Sequence, residues 1–251
     1  MYFGVCMLKK ILIMILFMSI YVMGYSYSYQ DFDDYSFILK FYGNIGLGSP
    51  SGPIMDQERN SYSFSILYYD GTIQTGSPYP YAVNWGVSGE YLFDHFGLVL
   101  SYNPIYISEY ATAGDGDQYQ QYSYGGTLIS GNSIYAGINY HFPFALGYGS
   151  CGSFFLGVKA GYLTGTLAPY ISLLDYVGLA SQEVYISLKG YGFCPNFGFN
   201  FMFGFLNLGI SISYFIDDFT ASQNLNSYYS YSGSSFTISY LTIDMFVGIA
   251  F

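Results

Sequence analysis

The stretch that most constrains the fold of this chain is residues 236–251. From position 241 onward every second residue is large and apolar: Leu241, Ile243, Met245, Val247, Ile249 and Phe251. The residues between them are mostly small or polar. A β-strand points successive side chains to opposite faces, so this pattern predicts a strand with one continuous apolar face. Such a strand fits the closing strand of a barrel whose outer face contacts lipid.

The composition narrows the fold class further. Hydrophobic residues make up 52% of the chain and charged residues only 9%. Beyond residue 30, however, no apolar run approaches the roughly 20 residues that a membrane helix needs. The composition therefore leaves two fold classes, a protein with a large buried core and a β-barrel. The 32 Tyr and 23 Phe favour strands and membrane interfaces.

Residues 1–28 are predicted to be a secretory signal peptide, with residues 29–251 forming one domain. Lys9 and Lys10 precede an apolar segment at 11–23, and small residues follow it, which is the order of a signal peptide. Cleavage after Ser26 and cleavage after Ser28 both fit. A membrane anchor helix is the alternative, but the apolar segment is short for one.

Seven further segments alternate in the same manner as the last one. With the closing strand they predict eight strands, the first seven at 35–47, 81–93, 96–107, 131–142, 153–165, 186–202 and 205–216. Short and long connections alternate along the chain, as in an antiparallel up-and-down transmembrane β-barrel with short turns at one rim. Residues 61–70 also alternate. A ninth spanning strand would break the even number, so we interpret this segment as a hairpin arm of an external loop.

The sixth strand contains a change of phase. Ile186 and Leu188 are out of step with the apolar residues of its lower half, and Gly190, Gly192 and Pro195 lie between the two halves. A β-bulge adds one residue to a strand and shifts its alternation. The pattern therefore predicts a bulge in this strand.

The soluble alternative is a lipocalin-like barrel with an apolar pocket and a polar exterior. The chain has too few charged residues to coat such an exterior, so we expect the apolar set to face outward. Two aromatic girdles then follow at the membrane interfaces. One is predicted to contain Tyr91, Phe93, Tyr140, Phe142, Phe199 and Phe251, and the other Tyr102, Tyr162, Tyr214 and Tyr240.

A family likeness lies in two features. They are the strand–turn–strand unit from Glu90 to Leu100 and the closing strand that ends in Phe251. On these features region 35–251 resembles the eight-stranded outer-membrane barrels of the OmpA/OmpX/OmpW kind. The resemblance implies an outer-membrane location. It also implies that Phe251 is the signal read by the outer-membrane assembly machinery.

Four charged residues have the parity of the inner face: Lys40, Glu90, Lys159 and Asp244. Buried charges must be paired, so we expect an ion network in the lumen. In this interpretation Lys40 meets Asp244, Glu90 joins them, and Lys159 reaches across. Because eight strands leave an interior just filled by side chains, the network is expected to plug the barrel and lock its register. A solute-binding or gating element is the alternative.

No catalytic, cofactor or metal site is expected. The two histidines are His95, in a turn, and His141, predicted to face inward and to be packed or hydrogen-bonded. Cys151 and Cys194 lie in no metal-binding pattern, and whether they form a disulfide stays open. Acidic residues at 115, 117, 217 and 218 could bind calcium weakly, although no spaced ligand loop supports it.

The charge balance also argues against nucleic acid as a partner. Outside the leader the chain holds Lys40, Arg59, Lys159 and Lys189 against 16 acidic residues, which argues against nucleic-acid binding.

These observations predict a non-enzymatic outer-membrane barrel with a structural or surface-interaction role. Its predicted partners are membrane lipid, the assembly machinery and a host or matrix ligand. That ligand would bind the Tyr/Ser-rich external loops, such as residues 227–235. Two alternatives remain: a narrow pore for small solutes, as OmpW-like proteins suggest, and a lipid-modifying barrel enzyme.

Overall fold

The computed structural model describes most of the region expected to form the barrel. The described residues are 32, 35–47, 50–56, 64–67, 73–76, 79–113, 122–147, 150–168, 185–225 and 233–251. The predicted signal peptide lies outside these residues, as does most of the Tyr/Ser-rich segment 227–235.

The described residues form ten strands. In chain order they are β1 (Phe37–Gly46), β2 (Phe64–Leu67), β3 (Ile73–Gly76), β4 (Tyr79–Phe93), β5 (Phe96–Ala113), β6 (Tyr122–Gly147), β7 (Ser150–Leu167), β8 (Ile186–Phe203), β9 (Leu206–Ala221) and β10 (Ser235–Ala250). A helical turn occupies residues 53–56.

Eight of these strands close into one antiparallel barrel. The sheet runs from β4 through β5, β6, β7, β8, β9 and β10 to β1, and β1 pairs with β4 to complete the ring. The eight-stranded up-and-down fold expected from the sequence is therefore confirmed. β2 and β3 pair only with each other, as a separate hairpin, which agrees with the interpretation of residues 61–70 as a loop arm. Within the described residues, no helix has the length and apolarity needed to cross a membrane.

In the lower part of the barrel the wall is apolar outside and polar inside. On β10 the side chains of Met245, Val247 and Ile249 are exposed, whereas Thr242 and Asp244 are buried. A lipocalin has the opposite arrangement. The apolar exterior therefore identifies the part of the wall that lies in hydrocarbon.

Above this band the polarity of the wall reverses. On β9, Ile210 and Tyr214 face outward, but Phe215 and Phe219 are buried inside and Thr220 is exposed. A strand needs only about 9–11 residues to cross a bilayer, whereas β6 has 26. The upper wall thus stands in water and has the apolar core of a soluble barrel.

The same reversal explains the phase change in the sixth barrel strand, and the predicted bulge is wrong. β8 alternates between buried and exposed residues without interruption, and its pairing with β7 and β9 shows no register shift. Ile186 and Leu188 are buried in the upper core, while Phe197 and Phe199 face lipid. The side chains therefore alternate continuously along β8. What changes along the strand is the medium outside the wall, from water to hydrocarbon.

The upper core also lengthens strands that the sequence pattern ended early. β5 continues to Ala113, β6 begins at Tyr122, and β9 continues to Ala221, so the expected loops at 108–130 and 217–235 are shorter than predicted. Buried Ile105, Ile107 and Phe219 stabilise these extensions from inside.

Apolar layers close the barrel at both ends. The lower layer consists of Phe32, Tyr35, Ile38, Leu92, Cys151, Met202 and Ala250. The upper layer is larger and includes Ile54 and Met55 of the helical turn and Leu225, which follows β9. Between them lies a polar layer, which is described below. Cys151 and Cys194 form no disulfide, because their register partners, Met202 and Lys159, are far apart along the strands.

The aromatic girdles are present with one correction. All six residues predicted for the lower girdle are exposed on the outer wall, as are Tyr102, Tyr162 and Tyr214 of the upper one. Tyr240 is only 5% exposed, because its position on β10 has the parity of the inner face. It belongs to the upper core.

The reversal of polarity predicts where an added charge destabilises the barrel. Leu100, which is 60% exposed on the outside of β5, lies in the middle of the apolar band. We expect Leu100→Arg to lower the free energy of unfolding by about 2–4 kcal/mol, because the guanidinium would enter hydrocarbon. The matched control is Ser187→Arg, which is exposed on β8 above the band and should change it by about 0–1 kcal/mol. Denaturant unfolding in phospholipid vesicles measures both, and equal costs would contradict the assigned band.

Candidate functional site

The candidate site is the polar layer in the lumen, which contains the buried titratable side chains Lys40, Glu90, His141 and Asp244. It is built from inward positions of the barrel strands within the apolar band. Its buried members are Lys40, Asn44, Asn84, Ser88, Glu90, Ser101, Asn103, Ser133, Asn139, His141, Ser153, Asn196, Asn200, Asn207, Ser211, Ser213, Thr242 and Asp244. Each is there because strand alternation sends every second side chain of the wall inward.

Glu90 is the centre of this layer. Its carboxylate accepts hydrogen bonds from Lys40 Nζ at 2.5 Å and from Asn139 Nδ2 at 2.6 Å. His141 Nε2 lies 2.8 Å from Glu90 Oε1, and His141 Nδ1 lies 2.9 Å from Ser153 Oγ. Glu90 and His141 are both fully buried. Gly97 leaves room for the carboxylate, since a Cβ there would collide with it.

Two aromatic rings complete the surroundings of Lys40. Its Nζ lies 5.3 Å from the ring centroid of Phe155 and 4.9 Å from that of Phe246. A cation over an aromatic face is attracted by the negative face of the ring. The ammonium is therefore held both by Glu90 and by the two rings.

Asp244 lies in a second cluster and does not meet Lys40. Its carboxylate accepts hydrogen bonds from Ser213 at 2.5 Å, Ser211 at 3.1 Å and Thr242 at 2.9 Å. On the facing strand Asn44 is its register partner, while Lys40 pairs with Gly248. The expected Lys40–Asp244 contact is replaced by Lys40–Glu90, because the stagger of the strands sets the two clusters at different heights.

Lys159 faces the lumen on β7 without joining either cluster. Within the described residues no ion pair links it to an acid; the ion pairs there involve Lys40, His141 and His95. All four residues predicted for the network line one small cavity of about 40 Å³. Of these four, only Lys40 and Glu90 are in contact with each other.

A buried carboxylate in the upper core was missed by the sequence reasoning. Asp217 is fully buried, with Tyr135 Oη donating to it at 2.5 Å and Tyr240 Oη at 3.1 Å. The alternation pattern predicts Asp217 in an external loop, as a weak calcium ligand, and Tyr240 in the outer girdle, whereas the structure buries both side chains. The inner-face parity of both residues was the signal that could have found this contact.

The lumen also contains an unexpected chain of serine, histidine and carboxylate. Ser153, His141 and Glu90 are linked in the order used by hydrolytic triads. All three are fully buried, and the ring of Phe32 covers His141 at 5.1 Å. Ser153 Oγ is therefore shielded from solvent, and these contacts pack the lower lumen.

The described part of the chain contains no group of three or more His, Cys, Asp or Glu side chains able to hold a metal ion. The acidic residues 115 and 117 lie outside it. His95 remains in the turn between β4 and β5, 3.8 Å from Asp94.

A closed wall of eight antiparallel strands, apolar outside and polar inside, defines a small transmembrane β-barrel. No family model and no curated protein matches the chain. Among solved structures it is similar to the outer membrane protein OprG from Pseudomonas aeruginosa. The two share 16% sequence identity with a TM-score of 0.47, over 90% of this chain and 99% of that chain.

The Glu90 cluster predicts a large cost for removing its cation. We expect Lys40→Ala to lower the free energy of unfolding by about 3–5 kcal/mol, because it leaves a buried carboxylate without its main partner. The double variant Lys40→Met with Glu90→Gln should recover most of that loss, since it leaves no unpaired charge. Denaturant unfolding in detergent micelles measures both. A Lys40→Ala protein as stable as the wild type would show that Glu90 does not depend on the ion pair.

Proposed function

We propose that this protein is a sealed outer-membrane barrel with a structural and surface-interaction role, and that it acts neither as a channel nor as an enzyme. The observation that carries the proposal is the closure of the lumen by two apolar layers. Of the charged groups between these layers, Lys40, Glu90 and Asp244 are hydrogen-bonded to neighbouring side chains.

Two residues that precede β1, Phe32 and Tyr35, contribute to the lower closure. Phe32 lies inside the lower end of the barrel, with its ring against His141. Tyr35 donates a hydrogen bond from its hydroxyl to the carbonyl of Gly204 at 2.6 Å, which fixes this segment across the rim. Water or a solute that entered the barrel from below would first contact the rings of Phe32 and Tyr35.

The upper closure is built by loop residues that fold inward. Ile54 and Met55 are fully buried in the upper core. Their segment is attached to the wall where Ser51 pairs with Ser239 through backbone hydrogen bonds of 2.8 and 2.9 Å. The lumenal cavity between the closures, about 40 Å³, has room for a few water molecules, since one needs about 10–15 Å³. This supports a plugged barrel over the narrow-pore alternative.

The external end supports the surface role. Its wall continues above the bilayer with an apolar core, so it forms a rigid base for the external loops. Segment 227–235 carries Tyr228, Tyr229 and Tyr231 among Ser and Gly residues. Tyrosine provides amphipathic contact area at low entropic cost, and Ser and Gly provide adaptable hydrogen bonds. A host or matrix ligand is the partner that we propose for these loops.

Phe251 supports the proposed link to the assembly machinery. Its side chain is 63% exposed on the outer wall, 6.5 Å from the ring of Phe37. Its backbone is fixed to β1 by hydrogen bonds with Ser36 and Phe37. The ring is accessible from outside while the strand is already paired.

Sealing predicts an absence of conductance. We expect the wild-type protein to produce no channel steps in planar lipid bilayers. Lys40→Ala and Asp244→Ala should be equally silent, because both apolar layers remain in place. A porin measured in the same bilayer provides the positive control. Discrete conductance steps from the wild-type barrel would contradict the proposal.

The loop tyrosines predict a loss of adhesion. Cells displaying the chain should bind immobilised basement-membrane extract, and the triple change of Tyr228, Tyr229 and Tyr231 to Ser should reduce that binding several-fold. The matched control changes the same three residues to Phe, which keeps the rings and should retain most of the binding. Antibody labelling of the cell surface checks that the variants are displayed at equal levels. Equal binding by the Ser variant and the wild type would exclude these loops as the contact site.

A further inference from the structure

We propose that the outer wall formed by β7, β8 and β9 binds one anionic phospholipid of the outer leaflet. Its headgroup phosphate would lie at Lys189 and one acyl chain in an apolar groove below. The inference depends on the position of the barrel in the bilayer and is independent of the surface-interaction role.

Lys189 is an unusual cation in this chain. Among the described residues the basic side chains are Lys40 and Lys159, which face the lumen, and Lys189, which is exposed on the outside of β8. No ion pair in the described part of the chain involves Lys189. It is therefore an outward ammonium on a chain whose formal net charge is −10.

Hydroxyl groups flank this ammonium on both neighbouring strands. Lys189 is the register partner of Thr164 on β7 and of Thr220 on β9. All three positions have outward parity, so an ammonium and two hydroxyls form one row across three strands. Strands lie about 4.8 Å apart in a sheet, and a phosphate group can therefore accept hydrogen bonds from more than one of them.

The row lies at the height of lipid headgroups. One step lower on the same faces, Tyr162 and Tyr191 pack edge to face with centroids 5.7 Å apart. Tyrosine belts mark the boundary between hydrocarbon and headgroups. Above Tyr191 the outer face of β8 becomes polar, with Ser187 and Lys189.

An apolar groove of about 570 Å³ lies lower on the barrel, with lining residues that run from β5 to β10. Leu156, Val158, Phe197 and Tyr214 line it with exposed outer side chains. One irregularity of the wall lies at this depression: β8 has no register partner on β9 at Cys194 and Pro195.

The distance between the row and the groove fits one leaflet. Pro195 is six positions below Lys189 on β8, or about 20 Å at about 3.3 Å per residue. With a strand tilt of about 40° this is roughly 15 Å of depth, half of the ~30 Å hydrocarbon core. A lipid with its phosphate at Lys189 would extend an acyl chain down to the groove.

Asp218 is the acid that opposes this site. It faces outward on β9 as the register partner of Tyr191, and Thr237 Oγ1 donates to its carboxylate at 2.5 Å. Its negative charge would weaken the binding of a phosphate one row above. Asp218→Asn is therefore expected to strengthen it.

The single tryptophan provides an internal reference for the test. Trp85 faces outward on β4, which is four strands from β8 in either direction around the barrel. The double variant Trp85→Phe with Tyr191→Trp moves the fluorophore to the proposed site. Both proteins are reconstituted in phosphatidylcholine vesicles that contain increasing fractions of brominated phosphatidylglycerol, which quenches tryptophan on contact.

We expect the fluorophore at position 191 to reach half-maximal quenching at about a fivefold lower lipid fraction than Trp85 does. That factor corresponds to the roughly 1 kcal/mol contributed by one Lys near anionic lipid. Adding Lys189→Gln should move the curve to that of Trp85, Lys189→Arg should restore most of the preference, and Asp218→Asn should increase it. Filling the groove with Val158→Phe should also weaken it.

Coincident curves for the two fluorophores, or a preference unchanged by Lys189→Gln, would overturn the proposal. Native mass spectrometry of the wild-type protein in detergent provides a second measurement without moving the tryptophan. Retention of one phosphatidylglycerol, lost in Lys189→Gln, is expected. Equal retention of phosphatidylglycerol and phosphatidylcholine would also overturn it.

Discussion

The structure depends on closure of the hydrogen-bonded wall. In hydrocarbon no water is present to bond an unpaired backbone group, so a sheet can span a membrane only when its last strand pairs with its first. Here β1 pairs with β10 on one side and with β4 on the other. Once the wall is closed, each side chain faces either the lumen or the surroundings, and no edge strand remains exposed.

A single wall then passes through two solvents. In the bilayer the outer face must be apolar, and the polar residues of each strand are directed inward. Above the hydrocarbon the outer face meets headgroups and water, so Ser187 and Lys189 face outward and Ile186 and Leu188 form a core. The backbone does not change at the boundary. The reversal of polarity therefore reports the height of the membrane more directly than the length of any strand does.

The polar layer follows from the same closure. An eight-stranded barrel has an interior just filled by side chains, so most of the charges there are bonded to neighbouring side chains in place of bulk water. Glu90 has Lys40, Asn139 and His141, and Asp244 has hydroxyl groups from its own strand and the next. Apolar layers lie below and above these contacts, and this arrangement supports the sealed barrel that we propose.

The sequence alone determined the eight strands, their antiparallel order and the outward direction of residues such as Val247 and Ile249. Alternation with a period of two is a local property, and it can be read from neighbouring residues. Which inward-facing residues contact each other does not follow from the local sequence. The stagger between strands brought Lys40 to Glu90 and separated it from Asp244. The water above the membrane made Ile186 and Tyr240 core residues, although the pattern alone suggested a bulge and a girdle. Only the tertiary structure decided these contacts, because they depend on the relative heights of strands that are distant in sequence and on where the bilayer ends.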